Sequence, residues 1–283
     1  MKIAFILAGF FLLLLLLEAL FPLRHRKWAL VRRLIVNLCV SALAFTAAAW
    51  IVRPVGLSLA AWMSAKSFGL LHIVPLPAVV QFGLVFLLMD LTFYYWHLAN
   101  HMLPVLWRFH NVHHIDPDLD VSTALRFHVG EVLLSAGFRA LQVSLIGLPP
   151  LTYMIYEGVF QASTLFQHSN IRLPLQVERL LNTVLVTPRM HGIHHSVVAG
   201  ETNSNYSVVF PWWDRLHRSL RLNVPQSAII IGIPAYQEPA DNTLWNVLVL
   251  PFRRQRDYWR WPDGNQPVRD TATASVQRTR VLE

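Results

Sequence analysis

An all-α integral membrane helical bundle, closed at one face by a histidine-rich helical cap, is the architecture this sequence predicts. Three observations predict it. Apolar runs reach the length a bilayer core requires, about 20 helical residues. Charged residues make up only 14% of the chain and the mean hydropathy is +0.40, whereas soluble domains carry about 25% charge. Thirteen histidines gather mainly at or beyond the ends of those runs, most of them at helical spacings.

Residues 3–21, IAFILAGFFLLLLLLEALF, form the first spanning run. Its length, with no A-x-A-like cleavage site after it, favours a retained anchor over a signal peptide. Residues 34–52 form a second run, and a third extends from about Leu76 to Tyr95, continuing as helix through His97. Residues 132–147 and 149–167 flank Pro149 and Pro150 and read as a helical hairpin that dips into the membrane and returns.

Between the first two runs stand Arg24, Arg26, Lys27, Arg32 and Arg33. Basic residues beside apolar runs are a positive-inside signature with anionic-lipid contact, which puts this loop in the cytoplasm. Counting crossings from there places residues 97–128, and after the hairpin 168–222, at the cytoplasmic face. In a bacterium the membrane would be the plasma (inner) membrane. The net charge of +8 is thereby accounted for, and nucleic acid is not expected as a partner. Cys39 is the one cysteine, which excludes disulfides, thiolate zinc sites and iron–sulfur clusters within a single chain.

Four regions follow: an anchor region at 1–84, a histidine-rich region at 85–222, an apolar segment at 223–262 that packs on it or lies at the interface, and a disordered tail at 263–283. Nine histidines in the second region form patterns. His97 and His101 make H-x-x-x-H at the end of the third span; His110, His113 and His114 make H-x-x-H-H; His168 stands in FQHSN; His191, His194 and His195 make a second H-x-x-H-H. Residues three and four apart share a helical face, so one turn offers three imidazoles. Isolated histidines such as His25, His72 and His217 read as ordinary surface or core residues. Nine crowded imidazoles call for shared cations.

Nine ligands are too many for one ion and suit two. Imidazole serves iron, zinc, copper and nickel alike, so the metal stays open at this point. The chain has neither the E-x-x-H of carboxylate-bridged di-iron bundles nor the H-E-x-x-H of zinc proteases. Asp90, seven residues before His97, lies on the same stripe and is a candidate to orient a ligand. Asp116, Asp118 and Asp120 read as turn residues beside Pro117, with Asp116 as a further candidate brace. Asn170 is either a direct or outer partner of the metal or a helix cap.

The residues also resemble a family. The three histidine patterns, together with DLTFYYWHLANH, WRFHNVHHIDPDLDVSTALRFHVGE, FQHSN, TPRMHGIHHS, NSNY and WDRL in order over about 85–220, resemble the fatty acid hydroxylase / sterol desaturase superfamily. The resemblance implies an O2-dependent lipid hydroxylase or desaturase of membranes, with two Fe ions held by His97, His101, His110, His113, His114, His168, His191, His194 and His195. It implies no catalytic residue apart from the ligands. His128, followed by Glu131, sits where many members carry a histidine, and is a tenth ligand or an outer partner; Glu131 is an outer partner as well. A lipid substrate and a separate electron donor (ferredoxin, cytochrome or flavin reductase) are implied, since the chain has no G-x-G-x-x-G and no cluster cysteines. Val129 stands where Pro is common, Ser207 where Gly is, and His217-Arg218-Ser219 where Phe-Gly-Thr is usual. The competing classes are a membrane zinc-dependent hydrolase and a histidine-rich metal-binding or transport protein; a transporter would spread polar groups along its spans rather than cluster them at their ends.

Overall fold

Inside a bilayer an unpaired backbone amide finds no water, so long apolar runs fold as helices. The structure, a computed structural model describing residues 2–269, follows that rule, and no strand occurs among the described residues. Helices α1 (Lys2–Leu20), α2 (Leu30–Ala47), α3 (Arg53–Ala65), α4 (Ala78–Met102), α5 (Pro104–His114), α6 (Val129–Ile146) and α7 (Pro150–His168) are joined by short turns or loops. Short helices complete the chain: α8 (Leu175–Leu181), α9 (Pro188–His194), α10 (Ala199–Thr202), α11 (Trp212–Leu216) and α12 (Leu244–Val249). Four segments are long and apolar enough to cross a membrane: Ile3–Leu20, Leu30–His72, Ala78–Met102 and Val129–Ile146.

The second expected span is longer than its sequence suggested. Helix α2 runs through a π turn, Ala48–Val52, straight into α3. Pro54 follows that turn; it has no N–H to give and would clash with a carbonyl one turn back, and a widened turn is a standard way to absorb the misfit. At the end distant from the histidines, Gly69 (φ +112°) meets Gly147 (φ +74°), where a Cβ on Gly69 would lie 2.5 Å from the Gly147 Cα. Only glycine tolerates both that backbone and that approach.

Between these helices a buried core forms from Ala60, Val85, Met89, Phe93, Val143, Tyr153 and Tyr156. Helix α1, by contrast, leaves Phe5, Ile6, Leu12, Leu16 and Leu20 exposed, as a lipid-facing helix does. The hairpin of α6 and α7 is present, turning at 147–149.

Apolar segment 223–262 packs onto the histidine region. Ser196 and Ile231 pair as an isolated antiparallel bridge, and the amide of Gly232 donates to the His195 carbonyl at 3.0 Å. Ile233, Tyr236, Val247 and Leu250 join Trp107 and Val112 of α5 and the following Ile115 in one core. Part of the expected tail is ordered: Arg269 donates to both Glu201 oxygens, at 2.9 and 2.6 Å. Residues 270–283 lie outside the described residues.

The basic loop is the larger departure. Arg33 is 3% exposed and forks onto both Asp116 oxygens at 2.8 Å, with a further bond to Asp120. Arg26 donates to the buried Glu18, and Arg24 to Gln226. Four of the five side chains therefore bond to protein, Arg32 only to the Pro239 carbonyl at 3.5 Å, and Lys27 and Arg32 stay exposed. Asp118 accepts the amides of Lys27 and Trp28, so the acidic run clasps the loop between the first two spans.

Candidate metal centre

Four helices bring the nine patterned histidines together. Helix α4 presents His97 and His101 from its last turns, α5 ends on His110, His113 and His114, α7 ends on His168, and α9 with its cap supplies His191, His194 and His195. They separate into two groups. One ring nitrogen each of His97, His101, His110, His114 and His194 lies within 4.8 Å of the others, and the same holds for His113, His168, His191 and His195.

Each H-x-x-H-H is divided between the groups, and in opposite senses. On α5 the first and fifth positions, His110 and His114, join the first group while His113 enters the second; on α9 His191 and His195 join the second group and His194 crosses to the first. The helix dictates this split. Positions i and i+4 are about 40° apart around the axis, whereas i+3 and i+4 are about 100° apart. One turn therefore faces two centres. The groups are adjacent, since the His114 ring stacks on that of His195 with centroids 4.4 Å apart.

Outer partners fix the rings. The Nδ1 atoms of His97, His168 and His194 each donate at 2.7 Å to a backbone carbonyl, of Tyr206, Thr164 and Ser204 respectively. The Nδ1 of His110 lies 2.9 Å from the Glu131 carboxylate. A carbonyl only accepts, so these rings carry hydrogen on Nδ1 and turn the Nε2 lone pair toward the cluster. The His168 Nε2 then lies 2.9 Å from the Nε2 of both His113 and His191.

Lone pairs so placed repel unless a proton or a cation stands between them. Protons are disfavoured: burial, reinforced by neighbouring imidazoles, pushes His113, His114, His191 and His195 well below the ordinary histidine value, and burial takes His194 down to about 3. Buried ring nitrogens without any partner remain on His101, His113, His114, His191, His194 and His195. An enclosed, all-nitrogen donor set fits borderline transition-metal cations. Trp107 against His101 and His114, and Phe127 stacked on His113 at 4.6 Å, exclude water from the two groups.

The other sequence candidates fall elsewhere. Glu131 alone touches a clustered histidine. Asp90 accepts from the amides of Val209 and Phe210 and from Trp213 Nε1, so it braces the 206–213 segment and reaches His97 only through that segment. Asp116 is occupied by Arg33; burial alone would raise its pKa, but Arg33 and Arg126 outweigh burial and hold it at about 2. Asn170 is clamped to the backbone of Arg24 through both ends of its amide. His128 belongs to neither group: its Nδ1 caps α6 by accepting from Gly130, and its Nε2 bonds the Leu248 carbonyl.

Sequence reasoning missed the carbonyls of Thr164, Ser204 and Tyr206, and it missed Asp214, which takes the amides of Tyr206 and Ser207 at 2.9 Å. The only available signal was the NSNY and WDRL strings, which contain Tyr206 and Asp214. Asn205, held at φ +55°, ties this segment to α9 by donating to the Met190 carbonyl at 2.9 Å.

Glu131 yields a prediction. Glu131→Gln removes the charge that orients and strengthens His110, and outer partners of this kind are worth about 10–100-fold in metal affinity. Chelator competition with a transition-metal ion loaded into the protein should show weakening of that order at the first group and little change at the second; equal affinities in both proteins would contradict the bracing role.

Comparison with known proteins gives the chain's relatives. Residues 82–219 match the fatty acid hydroxylase family. Human cholesterol 25-hydroxylase is 30% identical over 138 residues, covering 48% of this chain and 49% of that protein. An ornithine lipid hydroxylase of Rhizobium tropici is 30% identical over 159 residues, 56% of this chain and 46% of the relative. Alkylglycerol monooxygenase of Danio rerio is 31% identical over 197 residues, 66% and 41% respectively. The chain thus spans about half the length of the curated relatives it matches. No solved structure matches it.

Proposed function

We propose, from a fatty acid hydroxylase domain whose nine histidines close on two adjacent centres, that this chain is a membrane-bound di-iron oxygenase acting on a C–H bond of a lipid. The observation that carries the reading is the two-group cage itself: five and four imidazoles turned on one another, most of them buried, with no carboxylate among them. His97, His101, His110, His114 and His194 would hold one iron, and His113, His168, His191 and His195 the other. Bound there, the irons would supply the redox change that dioxygen needs to attack an unactivated C–H bond.

The chain's own contribution is positional. The carbonyls of Tyr206, Thr164 and Ser204 stop the rings of His97, His168 and His194 from turning and leave their Nε2 atoms facing the cage. Trp107 and Phe127 keep the centre dry. Helices α4, α6 and α7 end or begin at the cage, so a lipid entering sideways between apolar helices meets it at the membrane surface. The relatives that hydroxylate a sterol, an ornithine lipid and an alkylglycerol support a lipid substrate.

Charge supports a cytoplasmic cage. The loops and helix ends on the cage side expose Lys27, Arg32, Arg172, Arg179, Arg215, Arg218 and Arg221, while the opposite turns, 66–77 and 147–149, hold Lys66 as their one lysine or arginine. That asymmetry is the positive-inside pattern. A separate electron donor would approach from the same side.

Lipid extracts from cells with and without the protein, grown under isotopically labelled dioxygen, test the reading. The expected result is a lipid heavier by one labelled oxygen, or lighter by two hydrogens if the enzyme desaturates. Purified chain should hold about two irons. Unchanged lipids together with zinc that iron cannot replace would instead establish the hydrolase reading.

A further inference from the structure

Tyr206 stands apart from the other residues that surround the cage. Its side chain is 3% exposed, and its hydroxyl is buried with no hydrogen-bond partner. A buried phenol normally finds one. The ring lies against three of the five histidines of the first group, with centroids 5.3 Å from His101 and 5.8 Å from both His97 and His194. None of the nine rings in the second group or first group takes its hydroxyl.

Nor is the residue free to turn away. Asp214 holds its amide, its carbonyl receives the His97 Nδ1 hydrogen at 2.7 Å, and the neighbouring Asn205 locks the segment to α9. The adjacent Tyr94 provides a contrast. Its ring meets that of Tyr206 edge-on at 6.0 Å, yet its own hydroxyl is satisfied by Ser219 at 3.0 Å. Of two packed tyrosines, the one nearer the metal group keeps its donor unused.

We propose that the Tyr206 hydroxyl is a hydrogen-bond donor reserved for a small exogenous ligand, an anion or an oxygen-terminated molecule, that enters the first histidine group. The inference rests on the oxygenase reading, in which dioxygen is the small molecule that must enter. It goes beyond that reading by giving the first group, rather than the second, a protein donor that touches the incoming ligand. The donor is preorganised, because the backbone on both sides of it is already bonded to the cage and to Asp214.

Azide, a small anion that binds ferric centres, is the probe. The full-length chain in detergent micelles is loaded with iron, oxidised and titrated with azide, the charge-transfer absorption reporting binding. Tyr206→Phe keeps the ring and removes only the donor. Iron content should stay at the wild-type level while azide affinity falls roughly tenfold, the effect of one hydrogen bond to a charged acceptor. Tyr94→Phe should bind azide as the wild type does. Azide affinity in Tyr206→Phe within twofold of wild type overturns the proposal, as does an iron-loaded wild type that gives no azide band. A wild-type chain that binds no iron at all instead overturns the metal reading on which the proposal rests.

Discussion

Replacing His191 with alanine is expected, with each histidine group holding one iron as proposed, to leave the protein with about one iron instead of two, and with turnover reduced by at least two orders of magnitude. His191 belongs to the four-membered group, where its Nε2 lies 2.9 Å from that of His168 and 3.1 Å from that of His195. Removing it leaves three ligands. His101→Ala in the five-membered group leaves four, a number that still satisfies most ions an imidazole site accepts. The two substitutions should therefore differ. His191→Ala loses its ion under mild chelation, and His101→Ala retains close to two irons but binds the first more weakly. Losing even an outer partner costs about 10–100-fold in affinity or activity, so a lost ligand should cost at least that much. Neither side chain makes a hydrogen bond outside the histidine groups, which separates loss of metal from loss of fold. Equal metal content in the two variants, measured by mass spectrometry on purified protein, would mean that the division into five and four is wrong.

That division is where reading from sequence reached its limit. Spacing showed that one helical turn carries three imidazoles, because periodicity is a property of the chain alone. It could not show that His113 and His194 cross to opposite groups, since the 100° between i+3 and i+4 acquires meaning only when α5 and α9 approach each other. The carboxylates illustrate the same limit from the other side. Asp90 shares a stripe with His97, but a stripe on a 25-residue helix is wide, and Asp90 meets the 209–213 segment instead. Glu131, which does reach a histidine, was suggested by resemblance and not by spacing. The carbonyls that hold His97, His168 and His194 were beyond reach because every residue has one.

Charge was misread for a related reason. A cluster of arginines beside an apolar run is usually a lipid-facing collar, and for Lys27 and Arg32 exposure agrees with that. Arg33 found its partners more than 80 residues along the chain, in Asp116 and Asp120. Nothing local to either stretch announces the other. The apolar spans were legible in outline, yet the merging of α2 into α3 through a π turn was not, because Arg53 and Pro54 look like an ending.

Asp116→Ala is expected to destabilise the cap by about 3 kcal/mol, the lower end of the cost of removing one partner of a buried pair, because Arg33 keeps a second carboxylate. Arg33 and Asp116 are both almost fully buried and joined by two parallel bonds at 2.8 Å. Without Asp116, Arg33 keeps Asp120 and the Asp118 carbonyl but loses its fork. Asn37, which donates to the same carboxylate at 3.0 Å, and Thr123, at 2.8 Å, lose an acceptor as well. The damage should spread to the metal groups. Arg126, 3.9 Å from Asp116, donates to the Val112 carbonyl in the last turn of α5 and closes the end of the helix that carries His113 and His114. Because α5 feeds both groups, Asp116→Ala should lower retention of both irons together, unlike any single ligand substitution. Asp257→Ala, an exposed pair with Arg260, supplies the comparison: exposed pairs contribute about 0–1 kcal/mol, so its melting temperature should stay near that of the wild type. A melting temperature for Asp116→Ala equal to that of Asp257→Ala, with both irons retained, would show that the arginine loop does not hold the cap in place.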